Sequence, residues 1–437
     1  MREIPSVKMD FATSIKSGHE SWEVSSKRQK RTDIMRKIPL VPTLCVIVLV
    51  LAFLDVFTVR GQAQAASPGT SQHTHRTWHV VPSPNSPQTY NALNGVVALS
   101  ADNVWAVGED FSYTAPNQAL IEHWNGKKWS IVPSPAIDSS GQLNGITRIP
   151  GTKELWAVGT QFSSANGPQT LIERWDGTRW KVVPSPILNE DPNVQTNILY
   201  RVTALSEDNA WAVGVYYESG DLPQEALIEH WDGKQWRVVP AATPPGTHYG
   251  WLYGTVALSA KDIWAVGTST TTAGGGETVL INHWNGKTWS LVAGPNPGMN
   301  ANFLYSVART PGTNQLWAVG NYLTSGAYQT LIERWNGKKW SLVTSPSPGS
   351  NGNGLQGVVA LSVNDAWAVG SDTSGNGDQV LTEHWNGAKW SVVASPNPAN
   401  TNFLSAVTRV PGTVRLWAVG NYYDSNNNDL TLTEIYR

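Results

Sequence analysis

The chain has a single cysteine, Cys45, among its 437 residues. A lone thiol closes no disulfide and builds no thiolate metal site. Standing inside a hydrophobic segment, it offers no nucleophile to the rest of the chain. It also lacks a lipid-attachment setting, because Thr43 and Leu44 precede it where small residues are expected. Charge is scarce, with Asp, Glu, Lys and Arg making up 15% of the chain. The basic charge gathers early: residues 1–60 carry ten Lys/Arg against six acids, which leaves the remainder mildly acidic. With no basic stripe, nucleic acid is excluded as a partner. Phe (7) and Met (4) are also few, yet Trp reaches 22. Trp in such excess points to a recurring motif. Gly (39) and Pro (27) are plentiful, which favours a turn-rich all-β domain over helices.

One long hydrophobic run exists, from Ile38 to Val59. It is long enough to cross a bilayer as a helix, which takes about 20 residues. Nine Lys/Arg precede it and only Arg60 follows closely, so the N-terminus is expected inside and the rest outside. Ala63-Gln64-Ala65 fits a small-x-small cleavage site. The segment therefore reads either as an uncleaved single-pass membrane anchor or as a signal cut after Ala65, which would release the rest as a secreted protein. The expected organisation is a basic cytoplasmic leader without fixed structure (1–37), the hydrophobic helix (38–59), a small polar linker (60–77) and one folded domain (78–437).

That domain is repetitive. The tetrapeptide Trp-Ala-Val-Gly begins at Trp105, Trp156, Trp211, Trp264, Trp317, Trp367 and Trp417. The spacing of roughly 50 residues is that of four-stranded propeller blades. The first repeat shows four strand-like pieces: Leu93–Leu99, Val104–Val107, Ala119–Trp124 and Lys128–Pro133. Asn-Gly or Asp-Gly joins the last two pieces, as at Asn125-Gly126 and Asp176-Gly177. Such pairs suit a type I′ hairpin, with positive φ at both central residues. A two-residue turn would pair Trp124 with Lys127, and a four-residue loop would pair it with Trp129. Either register places Glu122, Trp124 and Trp129 on one face.

The ends of the domain are complementary. The last unit stops at a third strand, Leu432 to Arg437, with no fourth strand after it. The spare fourth strand stands at the start, where Trp78-His79-Val80-Val81-Pro82-Ser83-Pro84 parallels Trp390-Ser391-Val392-Val393-Ala394-Ser395-Pro396. The expected fold is an all-β, seven-bladed β-propeller of four-stranded blades, its ring closed by the N-terminal strand completing the last blade. Two flavours of repeat occur. Four carry Leu-Ser before the Trp motif, at Leu99, Leu205, Leu258 and Leu361, and three carry Arg-x-Pro-Gly-Thr, at Arg148, Arg309 and Arg409.

With the order Leu155-Trp156-Ala157-Val158-Gly159, then Ile172-Glu173-Arg174-Trp175-Asp176-Gly177, then Trp180, the units resemble kelch-type repeats of the galactose-oxidase kind. The resemblance covers residues 78–437 and departs where kelch repeats have two adjacent glycines. It implies a propeller and leaves activity open, since kelch-like propellers range from protein-binding scaffolds to enzymes. The copper site with a Cys-linked Tyr known in that group is excluded, because Cys45 lies in the hydrophobic segment.

The connections of variable length fall on one propeller face, the expected place for a binding surface. Loop-edge aromatics among Asn, Ser and Gly make Tyr90, Tyr113, Tyr217, Trp251, Tyr322 and Tyr422 the candidate ligand-binding residues, suited to a glycan or a protein. Tyr249 and Tyr328 belong to the same wider set. Glu122, Glu173, Glu229, Glu333, Glu383 and Glu434 recur at one position, as structural residues do when every repeat carries them. His123, His230, His283 and His384 fall one per repeat, too far apart to share a metal. No cofactor, metal or catalytic residue is assigned, and the reading is a non-catalytic binding module. The alternative is an extracellular hydrolase using loop acids such as Glu109, Asp110, Glu190 or Asp191.

Overall fold

Short apolar runs punctuated by Asn-Gly, Asp-Gly and Pro turns can bury one face each only by pairing as strands. The computed structural model is accordingly all-β. It describes residues 76–437 except 88–89, 113–116, 136–139, 164–166, 187–196, 218–223, 272–274 and 376. The leader, the hydrophobic segment and most of the linker lie outside the described residues. Among the described residues, no helix is long and apolar enough to cross a membrane.

The first strand among the described residues is β1 (Trp78–Val80). The first repeat is β2 (Tyr90–Ser100), β3 (Asn103–Phe111), β4 (Gln118–Trp124) and β5 (Trp129–Ile131). The second is β6 (Gly141–Arg148), β7 (Leu155–Ser163), β8 (Gly167–Trp175) and β9 (Trp180–Val182). Next come β10 (Asn197–Ser206), β11 (Asn209–Tyr217), β12 (Gln224–Trp231) and β13 (Trp236–Val238). They are followed by β14 (Tyr249–Ser259), β15 (Asp262–Thr270), β16 (Thr278–Trp284) and β17 (Trp289–Leu291). Then stand β18 (Asn302–Arg309), β19 (Leu316–Leu323), β20 (Tyr328–Trp335) and β21 (Trp340–Leu342). After them come β22 (Gly352–Ser362), β23 (Asp365–Ser374), β24 (Gly377–Trp385) and β25 (Trp390–Val392). The last are β26 (Thr401–Arg409), β27 (Leu416–Tyr423) and β28 (Asp429–Tyr436).

Consecutive strands of a repeat pair antiparallel, giving the four-stranded sheets of a multi-bladed propeller. β1 pairs antiparallel with β28 in the register Trp78↔Tyr436, His79↔Ile435 and Val80↔Glu434. The second strand of each repeat runs past the expected boundary: β3 continues beyond Gly108 to Phe111.

The turn between third and fourth strands takes the longer of the two expected registers. Trp124 pairs with Trp129, so the loop holds four residues. Only the glycine takes positive φ, Gly126 at 89°. The Asn125 side chain determines this outcome. Its Oδ1 accepts the amides of Lys127 and Lys128 at 3.0 and 3.1 Å, satisfying donors that a type I′ turn would leave to solvent. Asp176 and Asp232 do the same in their own turns.

Tryptophans join the repeats. Trp105 of the first packs on Trp175 and Trp180 of the second, with ring centroids 4.7 and 5.7 Å apart. Trp156, Trp211, Trp264 and Trp317 repeat this contact with the next repeat's pair. Trp417 of the last repeat packs on Trp124 and Trp129 of the first at 5.0 and 5.2 Å. Each such aromatic pair is worth about 0.5–1.5 kcal/mol beyond its buried area.

The two repeat flavours acquire a physical meaning. In the Leu-Ser repeats a histidine lies over the motif Trp, as His230 does over Trp211 at 4.1 Å. Its Nε2 meets an Asn or Asp two residues before that Trp, here Asn209 at 3.1 Å, and the same oxygen accepts the indole N–H. In two Pro-Gly repeats an arginine takes the histidine's place. Arg174 sits 5.1 Å over Trp156 and bonds Glu154, and Arg334 sits 5.0 Å over Trp317 and bonds Gln315.

Candidate ligand-binding site

The site begins with a defect repeated in the first strand of every repeat. The glycine ending the Trp motif admits no side chain: a Cβ on Gly108 would lie 1.8 Å from the Ala92 carbonyl oxygen. That close approach accompanies a bulge, a register shift between Leu93 and Gly95 that leaves Asn94 without a partner on β3. The same shift leaves Asn144, Tyr200, Tyr253, Tyr305, Gln356 and Ser405 as the bulged residues.

A bulged side chain turns sideways, toward the next repeat. Asn94 Nδ2 donates to the Leu143 carbonyl at 3.2 Å, and Asn144 Nδ2 to that of Leu199 at 3.0 Å. Where the bulged residue is Tyr, rings meet rings. Tyr200 and Tyr253 stand 5.1 Å apart, and Tyr253 and Tyr305 stand 5.3 Å apart. The result is a row of three tyrosines crossing three repeats. Trp251 meets Tyr253 edge-on at 5.8 Å, and Phe303 stacks on Tyr305 at 5.9 Å. Tyr200 and Tyr253 are buried, while Trp251, Phe303 and Tyr305 are half-buried.

Polar groups border the row. Trp251 Nε1 donates to Gln224 Oε1, and Tyr305 Oη donates to Asn321 Oδ1. A bridge pairs Gln224 with Tyr249, tying two repeats together beside the row. Burial, and then the neighbouring phenols, keep Tyr200 and Tyr253 protonated far above the ordinary range. The Glu277 carboxylate lies near enough to oppose ionisation of Tyr253, Tyr305 and Tyr328 as well. Tyr217 is held above its ordinary value by burial and then by Tyr249.

Of the residues expected from sequence, Tyr217 and Trp251 therefore belong to this cluster. Tyr90 lies elsewhere, paired with Phe111 at 5.5 Å. Tyr322 and Tyr422 pack against the hydrophobic clusters between repeats. Tyr113 lies outside the described residues, as do Glu190 and Asp191. Tyr200, Tyr253, Tyr305, Phe303 and Glu277 were missed. Their signal stands in the sequence as a triplet: Leu93-Asn94-Gly95, Leu143-Asn144-Gly145, Leu199-Tyr200-Arg201, Leu252-Tyr253-Gly254, Leu304-Tyr305-Ser306, Leu355-Gln356-Gly357 and Leu404-Ser405-Ala406.

In five repeats, at Gly95, Arg201, Ser306, Gly357 and Ala406, the third residue of that triplet lines a cavity of about 90 Å³. It is small everywhere except at Arg201. The Arg201 Nη1 group donates to the carbonyls of Asn94, Asn144 and Tyr200, one from each of three successive repeats. Burial lowers its pKa to about 10.

The recurring glutamates are fully buried between repeats. Ser134 donates to Glu173, Ser185 to Glu229 and Ser395 to Glu434, each serine coming from the preceding repeat. Burial raises Glu122, Glu333 and Glu383 to about 8, and Glu173, Glu229 and Glu434, eased by those serines, to about 7. Burial thus favours their protonated form, and they face no open space. Asn282 replaces them once, exchanging hydrogen bonds with the Ala242 backbone. Among the described residues, no three His, Cys, Asp or Glu gather as a metal-binding group. Asp110 accepts the Gln118 amide, and Asp372 is raised by burial and by its neighbour Asp378.

No protein-family model matches the chain, and no curated protein sequence does. Solved structures of propeller-like proteins are similar to it. A polysaccharide lyase described as an ulvan lyase superposes with a TM-score of 0.50 at 12% identity, covering 79% of this chain and 94% of that one. The polysaccharide lyase Uly1 gives 0.50 at 8% identity, covering 80% and 90%. The structure described as YCF48 bound to D1 peptide gives 0.49 at 15% identity, covering 83% and 96%. At such identities the likeness is one of fold.

Proposed function

We propose that this chain is an exported, non-catalytic binding module whose ligand is a glycan held on the face where the first strands begin. The propeller would be a seven-bladed ring, kelch-like in its repeats and closed by β1. The pairing of β1 with β28 and the packing of Trp417 on Trp124 and Trp129 support that closure. Export rests on the hydrophobic segment at 38–59. The domain would be anchored outside the membrane, or secreted after cleavage at Ala65.

The observation that carries the reading is the row Tyr200–Tyr253–Tyr305 flanked by Trp251 and Phe303. The buried rings of Tyr200 and Tyr253 back the half-buried Trp251, Phe303 and Tyr305, whose faces can stack on sugar rings, and Gln224, Glu277 and Asn321 supply hydrogen-bonding groups beside them. The test is a glycan array probed with residues 66–437. Saturable binding lost in Trp251→Ala and Tyr217→Ala is expected. Failure to bind any glycan would shift the site to a protein ligand, sought by cross-linking on intact cells.

A second reading is a polysaccharide-cleaving enzyme, a hydrolase or a lyase, on a fold that known polysaccharide lyases share. Its best group is the pair Asp372 and Asp378, where Asp378 accepts from Thr373 at 2.6 Å and Asp372 from Ser374 at 3.3 Å. Turnover of a polysaccharide abolished by Asp372→Asn would establish it over the binding reading.

A further inference from the structure

Arg201 is out of place in its own column. The equivalent residues are Gly95, Gly145, Gly254, Ser306, Gly357 and Ala406. Small residues are required where the first strands converge: a Cβ on Gly145 would lie 2.7 Å from the Tyr200 carbonyl oxygen and 3.0 Å from the Arg201 Cα. One repeat nevertheless sends a guanidinium into this space.

The charge is uncompensated. The cavity lining includes Arg201, Ser306, Ile146 and Val407, and it contains no Asp or Glu. Among the described residues, all three hydrogen bonds of the guanidinium leave from Nη1 and end on neutral carbonyls. Nε and Nη2 bond no described protein atom. Ser306, across the same cavity, offers a hydroxyl that also bonds none. The guanidinium is half-buried, and it is a rigid fork of donors suited to anions. The cavity has room for a small ion and water.

We propose that this cavity is a binding site for a small monovalent anion of the chloride class, held by Arg201 Nε and Nη2 with Ser306 opposite. The anion would neutralise the half-buried guanidinium while Nη1 keeps the three carbonyls together. It would thereby fix the first strands of three repeats next to the tyrosine row. The site does not depend on what the loop face binds.

The test uses the full chain in detergent. Thermal melting is followed as bromide replaces gluconate, an anion too large for the cavity, at constant ionic strength. The melting temperature is expected to rise with bromide and saturate. Crystals soaked in bromide should show an anomalous peak within hydrogen-bonding reach of the Arg201 guanidinium. Arg201→Gln should lose the bromide dependence, and Arg201→Lys should keep part of it. If Arg201→Gln fails to fold, the wild-type crystal decides alone. A wild-type crystal without that peak, or a bromide dependence unchanged in Arg201→Gln, would overturn the proposal.

Discussion

The phenol of Tyr436 stands 4.4 Å from the indole of Trp367, where the corresponding contact of Trp317 is with Trp385. Trp78 completes the arrangement, edge-on to Trp367 at 5.8 Å. The first strand of the domain and the penultimate residue of the chain thus share one aromatic contact.

Trp78 is only 3% exposed. Trp78→Ala is expected to destabilise the domain by about 3–5 kcal/mol, the usual cost of deleting a buried indole. Denaturant unfolding measures it. A loss below about 1 kcal/mol would show that β1 is dispensable to the fold.

Stability should fall as pH rises. The six buried glutamates have folded pKa values of about 7 to 8 against an ordinary 4.5. The fold therefore favours their protonated form. That contribution is complete below about pH 4.5 and is lost as pH climbs through 7 and 8. Burial holds His123 and His230 below their usual value, so they act in the opposite sense on acidification. A lower melting temperature at pH 9 than at pH 6 is expected. Glu122→Gln, which supplies a permanently neutral side chain, should flatten the alkaline slope.

Gly108→Ala should cost 3 kcal/mol or about that, because the new Cβ meets backbone oxygen with no side chain able to move aside. The melting temperature reports it directly. A neutral result would mean that the bulge relaxes freely and does not set the direction of Asn94.

Ligand binding should separate two aromatics that look alike in sequence. Trp251→Ala is expected to abolish binding with little loss of stability. Tyr422→Ala should leave affinity unchanged while lowering the melting temperature, since its ring packs between repeats. Equal loss of binding in both variants would move the site off the tyrosine row.

The repeat, the strand order and the pairing of the two chain ends were legible because they follow from spacing and from Trp positions. The turn type was not, because Asn125 uses its side chain where the usual rule considers only backbone angles. Tyr322 and Tyr422 looked like loop residues because the second strand was expected to end at the motif glycine. It runs on, and alternation carries the fifth residue after the Trp into the inter-repeat core. Tyr200, Tyr253 and Tyr305 were hidden by the opposite effect. They sit inside a strand, and only the one-residue bulge frees them from the pleat.

The bulge also separates two tasks that proteins usually entangle. The leucine before it and the glycine across from it preserve the frame, while the bulged position itself has accepted Asn, Tyr, Gln and Ser in a single chain. Each repeat thus contributes one replaceable letter to a row of bulged positions. On the proposed reading, new recognition specificities can be written there by changing letters while the scaffold stays as it is.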